Sequence, residues 1–344
     1  MPYDKGVSPQ RRTRYVTQAD IAAEAGVSRP LVSLVLRGAP NVSDEKRERV
    51  LAAARRLGYI ESRLATDLAG NRSNLLIGYL PQSFGNRVFL DVYEGIASVL
   101  QPAGHHVLVM EGSVDPEQED RNLRELVSFR PDAVILAGYS GPTDTLRAAS
   151  TTIPFVSVTR EMKERNVISV LGDDAAGTRA AVEHLIAAGH IHITHLELPD
   201  AMPYETRART YAETMRAAGL TPHIVPTDIT TEGGYRATCG LLDDGYRPSA
   251  LFCGSDALAL GAWDALTERH LAIPDDIALV GYDNTDIVRR LDITSVDQHT
   301  HTQGKIAAEA VLAACTGDTP PPEVQLVQPN LIERASSTSV HHHV

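Results

Sequence analysis

Cysteine is nearly missing from this chain of 344 residues, and the three present, Cys239, Cys253 and Cys315, lie far apart and in no C-x-x-C spacing. That excludes a disulfide framework and a cysteine zinc site, and leaves buried free thiols as the reading. Long apolar runs are missing too: nothing approaches the roughly 18 uninterrupted residues that a membrane-spanning helix needs. The opening stretch MPYDKGVSPQRRTRY carries basic residues with no apolar segment behind them, so it does not read as a secretory signal and a cytoplasmic location is expected. No G-x-G-x-x-G follows the first apolar strand and no P-loop occurs, which removes support for dinucleotide or ATP binding. With no nucleophile or cofactor loop either, neither an enzyme nor a cofactor is expected. His190, His192 and His195 are close in sequence, yet a strand period of two turns His195 away from the others and no carboxylate or cysteine completes a ligand set, so no metal is expected.

Positive charge is scarce overall, with a formal net charge of −12, but it is segregated. Residues 1–60 hold eleven Lys and Arg against six Asp and Glu, and the remaining residues hold twenty-one against thirty-eight. A basic head can neutralise phosphates while an acidic body stays off a polyanion. Within the head, Thr17 with Asp20 three residues on forms a capping-box-like start, and Ile21, Ala22 and Ala25 supply an apolar stripe that stops at Gly26. After a tight turn Ser28 is placed to cap a second helix, in which Pro30 is tolerated in the first turn. Stepping 100° per residue puts Leu31, Val32, Val35 and Leu36 on one side of this helix and Arg29, Pro30, Ser33, Leu34 and Arg37 on the other. Ser43 is placed to cap a third helix with Asp44 and Glu45 in its first turn, Val50, Ala54 and Leu57 as its buried stripe and Gly58 as its stop. Two helices joined by a Gly-containing turn make a helix-turn-helix whose second helix suits the DNA major groove.

The run VTQADIAAEAGVS from Val16 to Ser28, followed by Val32-Ser33, Asn41-Val42-Ser43 and Gly58-Tyr59, resembles the LacI/GalR family of bacterial regulators. The resemblance implies that Arg29, Pro30 and Leu34 read base edges and that Thr17, Ser28 and Ser33 anchor phosphates, with Arg37 on the same face. Leu34 stands where the family often has Arg or Asn, and it offers only apolar contact, for example to a thymine methyl, so an unusual operator is expected. Arg29 is placed either for a bidentate guanine contact or for a phosphate. The hinge, residues 61–73, keeps the spacing of Ala65 and Leu68, but it lacks the family's usual Pro and carries Thr66-Asp67 in place of a basic residue. Leu68 is the candidate wedge for a minor-groove base step, or pairs with Leu64 in a dimer seam.

From residue 74 onward, apolar β-rich runs (Leu75–Leu80, Val107–Met110, Ala133–Ala137, Phe155–Val158, Ile191–Leu198, Ala250–Cys253 and Ala278–Tyr282) alternate with amphipathic helical stretches. That is the pattern of parallel sheets covered on both faces, and the length suits two doubly wound lobes. The resemblance continues through His184-Leu185-Ile186, Ser255-Asp256 and Val280-Gly281-Tyr282-Asp283, and implies a periplasmic-binding-protein-like pair of lobes closing on an effector. It points to Arg207 and Asp283 as the pair that clamps ligand hydroxyls, a charged fork and an acceptor suited to a sugar or other polyol. Arg160 and Ser255 join them, and Phe89 and Tyr139 offer faces for a sugar ring, with plain core packing the alternative for Phe89. Asp256 is read as a cap of the following helix in preference to a ligand contact.

The expected architecture is thus α/β: a two-lobed doubly wound core behind an all-α helix-turn-helix domain. Its expected divisions are a head at 1–60, a hinge at 61–73, an effector and dimerisation body at 74–335 and a disordered tail at 336–344. Lobe 1 takes about 74–171 and 299–327, and lobe 2 about 172–298 and 328–335. The expected partners are double-stranded DNA with a near-palindromic operator, a small effector and a second copy of the chain. No leucine heptads predict a coiled-coil tetramer.

Overall fold

A computed structural model describes residues 15–60, 74–197, 204–228, 230–317 and 323–338. The chain divides into two compact units, residues 1–73 and 74–344. Leu68 and the rest of the expected hinge lie outside the described residues.

The first unit holds α1 (Gln18–Ala25), α2 (Arg29–Leu36) and α3 (Asp44–Leu57) around a core of Ile21, Ala25, Val32, Val35, Val50 and Ala53. Thr17 starts α1 with a complete capping box, its hydroxyl accepting from the Asp20 amide and the Asp20 carboxylate accepting from the Thr17 amide at 2.8 Å. Gly26 and Gly58 stop α1 and α3 in left-handed conformations, with φ of 61° and 65°, where glycine carries no Cβ penalty. Ser28 and Ser43 occupy the cap positions, but neither side chain bonds its helix, which corrects the expected capping. Behind Ser28, Pro30 has no N–H to offer in the first turn, and Asp44 and Glu45 place negative charge at the start of α3.

The second unit is built on two six-stranded sheets. In the first, β1 (Leu76–Pro81), β2 (His106–Val109), β3 (Ala133–Ala137), β4 (Phe155–Val158), β5 (Val167–Gly172) and β11 (Val324–Val327) run parallel in the order β11-β5-β4-β3-β1-β2. In the second, β6 (Ile193–Glu197), β7 (His223–Pro226), β8 (Ala250–Cys253), β9 (Ala278–Tyr282) and β10 (Thr294–Asp297) are parallel, and β12 (Asn330–Ile332) pairs antiparallel with β10, in the order β12-β10-β9-β8-β6-β7. The central strands are apolar on both faces and fully buried, as two-sided coverage by helices requires. The described helices of this unit are α4 (Arg87–Leu100), α5 (Pro116–Ser128), α6 (Thr143–Ala149), α7 (Asp174–Ala187), α8 (Tyr204–Ala217), α9 (Thr231–Asp243), α10 (Asp256–Glu268), α11 (Asp286–Arg290) and α12 (Thr300–Thr316). No described helix is long and apolar enough to cross a membrane.

Strands β5, β7, β10, β11 and β12 were not among the sequence runs. Most are short and lie at or near sheet edges, where polar residues interleave; β11, VQLV, alternates exposed and half-buried positions. The chain crosses between the sheets three times, after β5, β10 and β11. In the first sheet α12 returns to lie against α4 so closely that a Cβ on Gly304 would stand 2.1 Å from the Val92 carbonyl oxygen. The expected disordered tail needs correction at its start. Residues Ala335–Ser337 form a 3₁₀ turn, Ser336 and Ser337 are buried, and their hydroxyls bond Thr294 at the base of β10.

Candidate functional site

In the helical unit, α2 turns Val32 and Val35 inward and leaves Ser28, Arg29, Pro30, Leu34 and Arg37 exposed, with Ser33 half-buried. Leu34 is 42% exposed, high for a large apolar side chain that its own unit has every opportunity to cover. Arg37 folds back to donate from Nε to the Ser33 carbonyl at 3.2 Å, closing the helix end. Thr17 is exposed, with its hydroxyl held in the capping box.

In the larger unit a cavity of about 700 Å³ opens between the two sheets, within the size range of small-molecule sites. Its lining comes from the carboxyl ends of strands: Gln82 and Ser83 follow β1, Ser255 and Asp256 follow β8, and Asp283 and Thr285 follow β9. The strand orders reverse between β1 and β3 in one sheet and between β6 and β8 in the other, and those switch points are where doubly wound folds leave a crevice. Helix starts close around the same space. Asn86 caps α4 through Val88 at 3.0 Å, Thr230 caps α9 through Gly233 at 2.9 Å, and Ser255 caps α10 through Leu258 at 3.3 Å.

Residues 17–62 match the family described as bacterial regulatory proteins of the lacI family, and residues 182–337 match the periplasmic binding protein-like domain. The chain is 30% identical over 321 residues to the HTH-type transcriptional regulator GntR of Escherichia coli strain K12, covering 91% of this chain and 96% of that one. The chain belongs to the LacI family. Similar relatives include the ribose operon repressor of Haemophilus influenzae, 29% identical over 331 residues and covering 94% of this chain and 99% of that one. Among solved structures, the lac repressor dimer bound to operator and an anti-inducer aligns with a TM-score of 0.82 at 28% identity, covering 95% of this chain and all of that one.

Of the effector residues expected in this LacI-family chain, Asp283, Ser255 and Phe89 line the cavity together. Burial, reinforced by the charge of Asp256, pushes the Asp283 carboxyl up to about 8, while the Arg207 charge and a hydrogen bond from the Gln298 amide pull the other way. Asp283 and Asn284 both take positive φ, 117° and 55°, which swings the carboxyl off the end of β9 toward the cavity. Arg207 is not part of the lining. It is buried, donates from Nε to Asp174 at 2.7 Å and from Nη1 to the Gly254 carbonyl at 2.6 Å, and lies 3.7 Å from the Tyr282 ring centroid. Arg160 is half-buried and also outside the lining, its charge facing Glu119 and Tyr204. Tyr139 is not brought to the site. It is buried with Leu80, Leu123 and Leu136, and its hydroxyl donates to the Pro142 carbonyl at 2.8 Å.

Asp256 departs from the expected cap. Ser255 caps α10, and Asp256, 2% exposed, accepts from the Thr285 amide at 2.6 Å, the Thr285 hydroxyl at 2.9 Å and the Ser295 hydroxyl at 2.7 Å. It ties the start of α10, the loop after β9 and strand β10 into one wall, and burial lifts its carboxyl to about 6. Gly281 leaves room for it, since a Cβ there would stand 2.4 Å from Asp256 Oδ1.

Tyr204 was missed from sequence. It lines the cavity, and its phenol, raised by burial, sits among the charges of Arg207, Asp283, Asp174 and Arg160. Its signal was its place at the start of α8, three residues before Arg207. His195, discounted as a ligand, is stacked on Phe252 and bonds the Phe252 carbonyl through Nδ1 at 3.0 Å; burial lowers it to about 4, so the ring is neutral. Among the described residues no cluster of His, Cys, Asp and Glu could hold a metal ion.

Proposed function

We propose that the protein is a transcriptional repressor that binds a near-palindromic operator as a homodimer, its affinity for DNA set by a small polyhydroxylated effector, a sugar or sugar derivative, held between the lobes. In this reading the exposed face of α2 enters the major groove: Arg29, Pro30 and Leu34 meet base edges, and Thr17, Ser28, Ser33 and Arg37 meet the backbone. Leu68 serves as the minor-groove wedge. Asp283 accepts effector hydroxyls beside Ser255 with Phe89 against the ring, while Arg207 and Arg160 act from behind Tyr204. The protein binds and does not turn over its ligand, and it works in the cytoplasm, where operator DNA is.

The observation that carries the reading is the pairing, in one chain, of an uncovered polar helix face containing an exposed Leu34 with a cavity whose walls are helix starts and strand ends. Duplexes selected from a random pool by the purified protein test it. Enrichment of a two-fold symmetric motif, weakened by Arg29→Ala, is expected, and recovery of no common motif at low salt would refute it.

A further inference from the structure

The net positive charge of residues 1–60 lies mostly ahead of the helices. Residues 1–14 hold Lys5, Arg11, Arg12 and Arg14 against Asp4 alone, whereas residues 15–60 hold seven Lys and Arg against five Asp and Glu. The match to the lacI family begins at residue 17, so these four cations stand outside the part of the head that the family match covers.

Within the described head, most cations are held by the protein itself. Arg55 pairs with Glu48 at 2.7 Å and Arg56 with Glu24 at 3.1 Å. Arg47 and Arg49 donate to the carbonyls of Ala39 and Ala25 at 2.5 and 2.6 Å, and Arg37 donates to the Ser33 carbonyl. At the start of α1 the Asp20 carboxylate accepts from both the amide and the hydroxyl of Thr17 at 2.8 Å, so a phosphate brought to Thr17 meets a negative charge. Helices alone would therefore neutralise few phosphates, and phosphate neutralisation supplies a large share of DNA affinity.

The basic stretch ends where that deficit is. Val16 packs against the head core, Tyr15 is 83% exposed, and Arg14 and Arg11 stand three and six residues ahead of Thr17. At roughly 3.3–3.6 Å per residue, Arg14 lies within about 10 Å of Thr17 and Arg11 within about 20 Å. That tether holds both at high local concentration against any duplex that α2 engages.

We infer that Arg11, Arg12 and Arg14 form a second DNA contact, a phosphate clamp that closes on the duplex beside each half-site and raises affinity with little regard for sequence. The inference rests on the repressor reading. It is tested by anisotropy titration of the selected operator with the full-length protein across a salt series, comparing wild type with Arg11→Gln, Arg12→Gln and Arg14→Gln combined and with the same three positions changed to Lys. The Gln variant should bind at least about tenfold more weakly at low salt. Its plot of log affinity against log salt should be flatter by at least about two, out of the roughly five that six arginines of a dimer permit at about 0.9 each. The Lys variant should keep the wild-type slope, and the base preferences of the selected motif should be the same for all three proteins. Melting temperatures equal to wild type would assign the loss to DNA contact. A flattening of less than about two, or loss in the Lys variant as large as in the Gln variant, overturns the inference. So does tighter binding by the Gln variant, which would place the stretch on the acidic body of the chain instead of on DNA. A two-fold symmetric motif bound alike by wild type and the Gln variant refutes the clamp alone, whereas recovery of no common motif by wild type refutes the repressor reading and the clamp with it.

Discussion

Asp283 concentrates the chemistry of the cleft. Its carboxyl is raised to about 8 in the fold against roughly 3.9 in an unfolded chain. The folded protein therefore holds a proton that the unfolded chain releases, and stability declines as pH rises from about 4 through about 8. Asp256, raised to about 6, acts in the same direction over the lower part of that range. Melting temperature should accordingly fall between about pH 6 and pH 8, and Asp283→Asn should flatten the fall. Ligand hydroxyls that donate to the ionised carboxylate reverse the preference, so effector binding should release protons and strengthen toward pH 8, which titration in buffers of different ionisation enthalpy would detect. In the head, Arg29→Ala should cost about 1–3 kcal/mol of operator binding and relax preference at one base position. Leu34→Arg should redirect preference at its own position, as selection from random duplexes with each variant would reveal. Asp283 and Ser255 reach the cavity lining because each follows the end of an apolar run, where strands give way to loops. Tyr139 instead packs with Leu123 of α5 and Leu146 of α6, which meet only in the fold, and the sequence does not carry the engagement of Arg207 by Asp174.

Elements with strong local signals were legible. The capping box at Thr17, the glycine stops at Gly26 and Gly58 and the runs Ala133–Ala137, Phe155–Val158, Ala250–Cys253 and Ala278–Tyr282 coincide with the observed boundaries. The edge strands β7, β11 and β12 were not, because each pairs on one side and needs no continuous apolar run. The run from Ile191 begins as a strand only at Ile193, Ile191 itself being exposed. Two measurements belong to this scale. Thr17→Ala removes the hydroxyl that accepts the Asp20 amide and should lower stability of the head by about 1 kcal/mol. Gly304→Val forces a Cβ and its methyls against the Val92 carbonyl where α12 crosses α4, and should cost about 1–3 kcal/mol or more of body stability by thermal unfolding.

At the scale of the whole molecule, the helix-turn-helix pattern with its family resemblance makes a DNA-binding head legible in the sequence, charge segregation agrees with it, and the alternation of strand with helix makes a doubly wound body legible. The return of the chain through α12, β11 and β12, by which each lobe is completed late in the sequence, is a topological fact that local patterns do not carry. The three crossings tie the two lobes covalently, and in the proposed reading the lobes close on a ligand about them. That is the mechanical basis on which the cleft is proposed to govern the head, through differential affinity of the effector for two arrangements of the lobes. The most direct test is selection of random duplexes by the full-length protein at low salt, followed by anisotropy titration of the winning sequence. The account predicts a near-palindromic motif whose affinity falls steeply with added salt and drops further with Arg29→Ala. An enriched pool with no two-fold symmetric motif, or wild-type and Arg29→Ala proteins binding it equally, would contradict it.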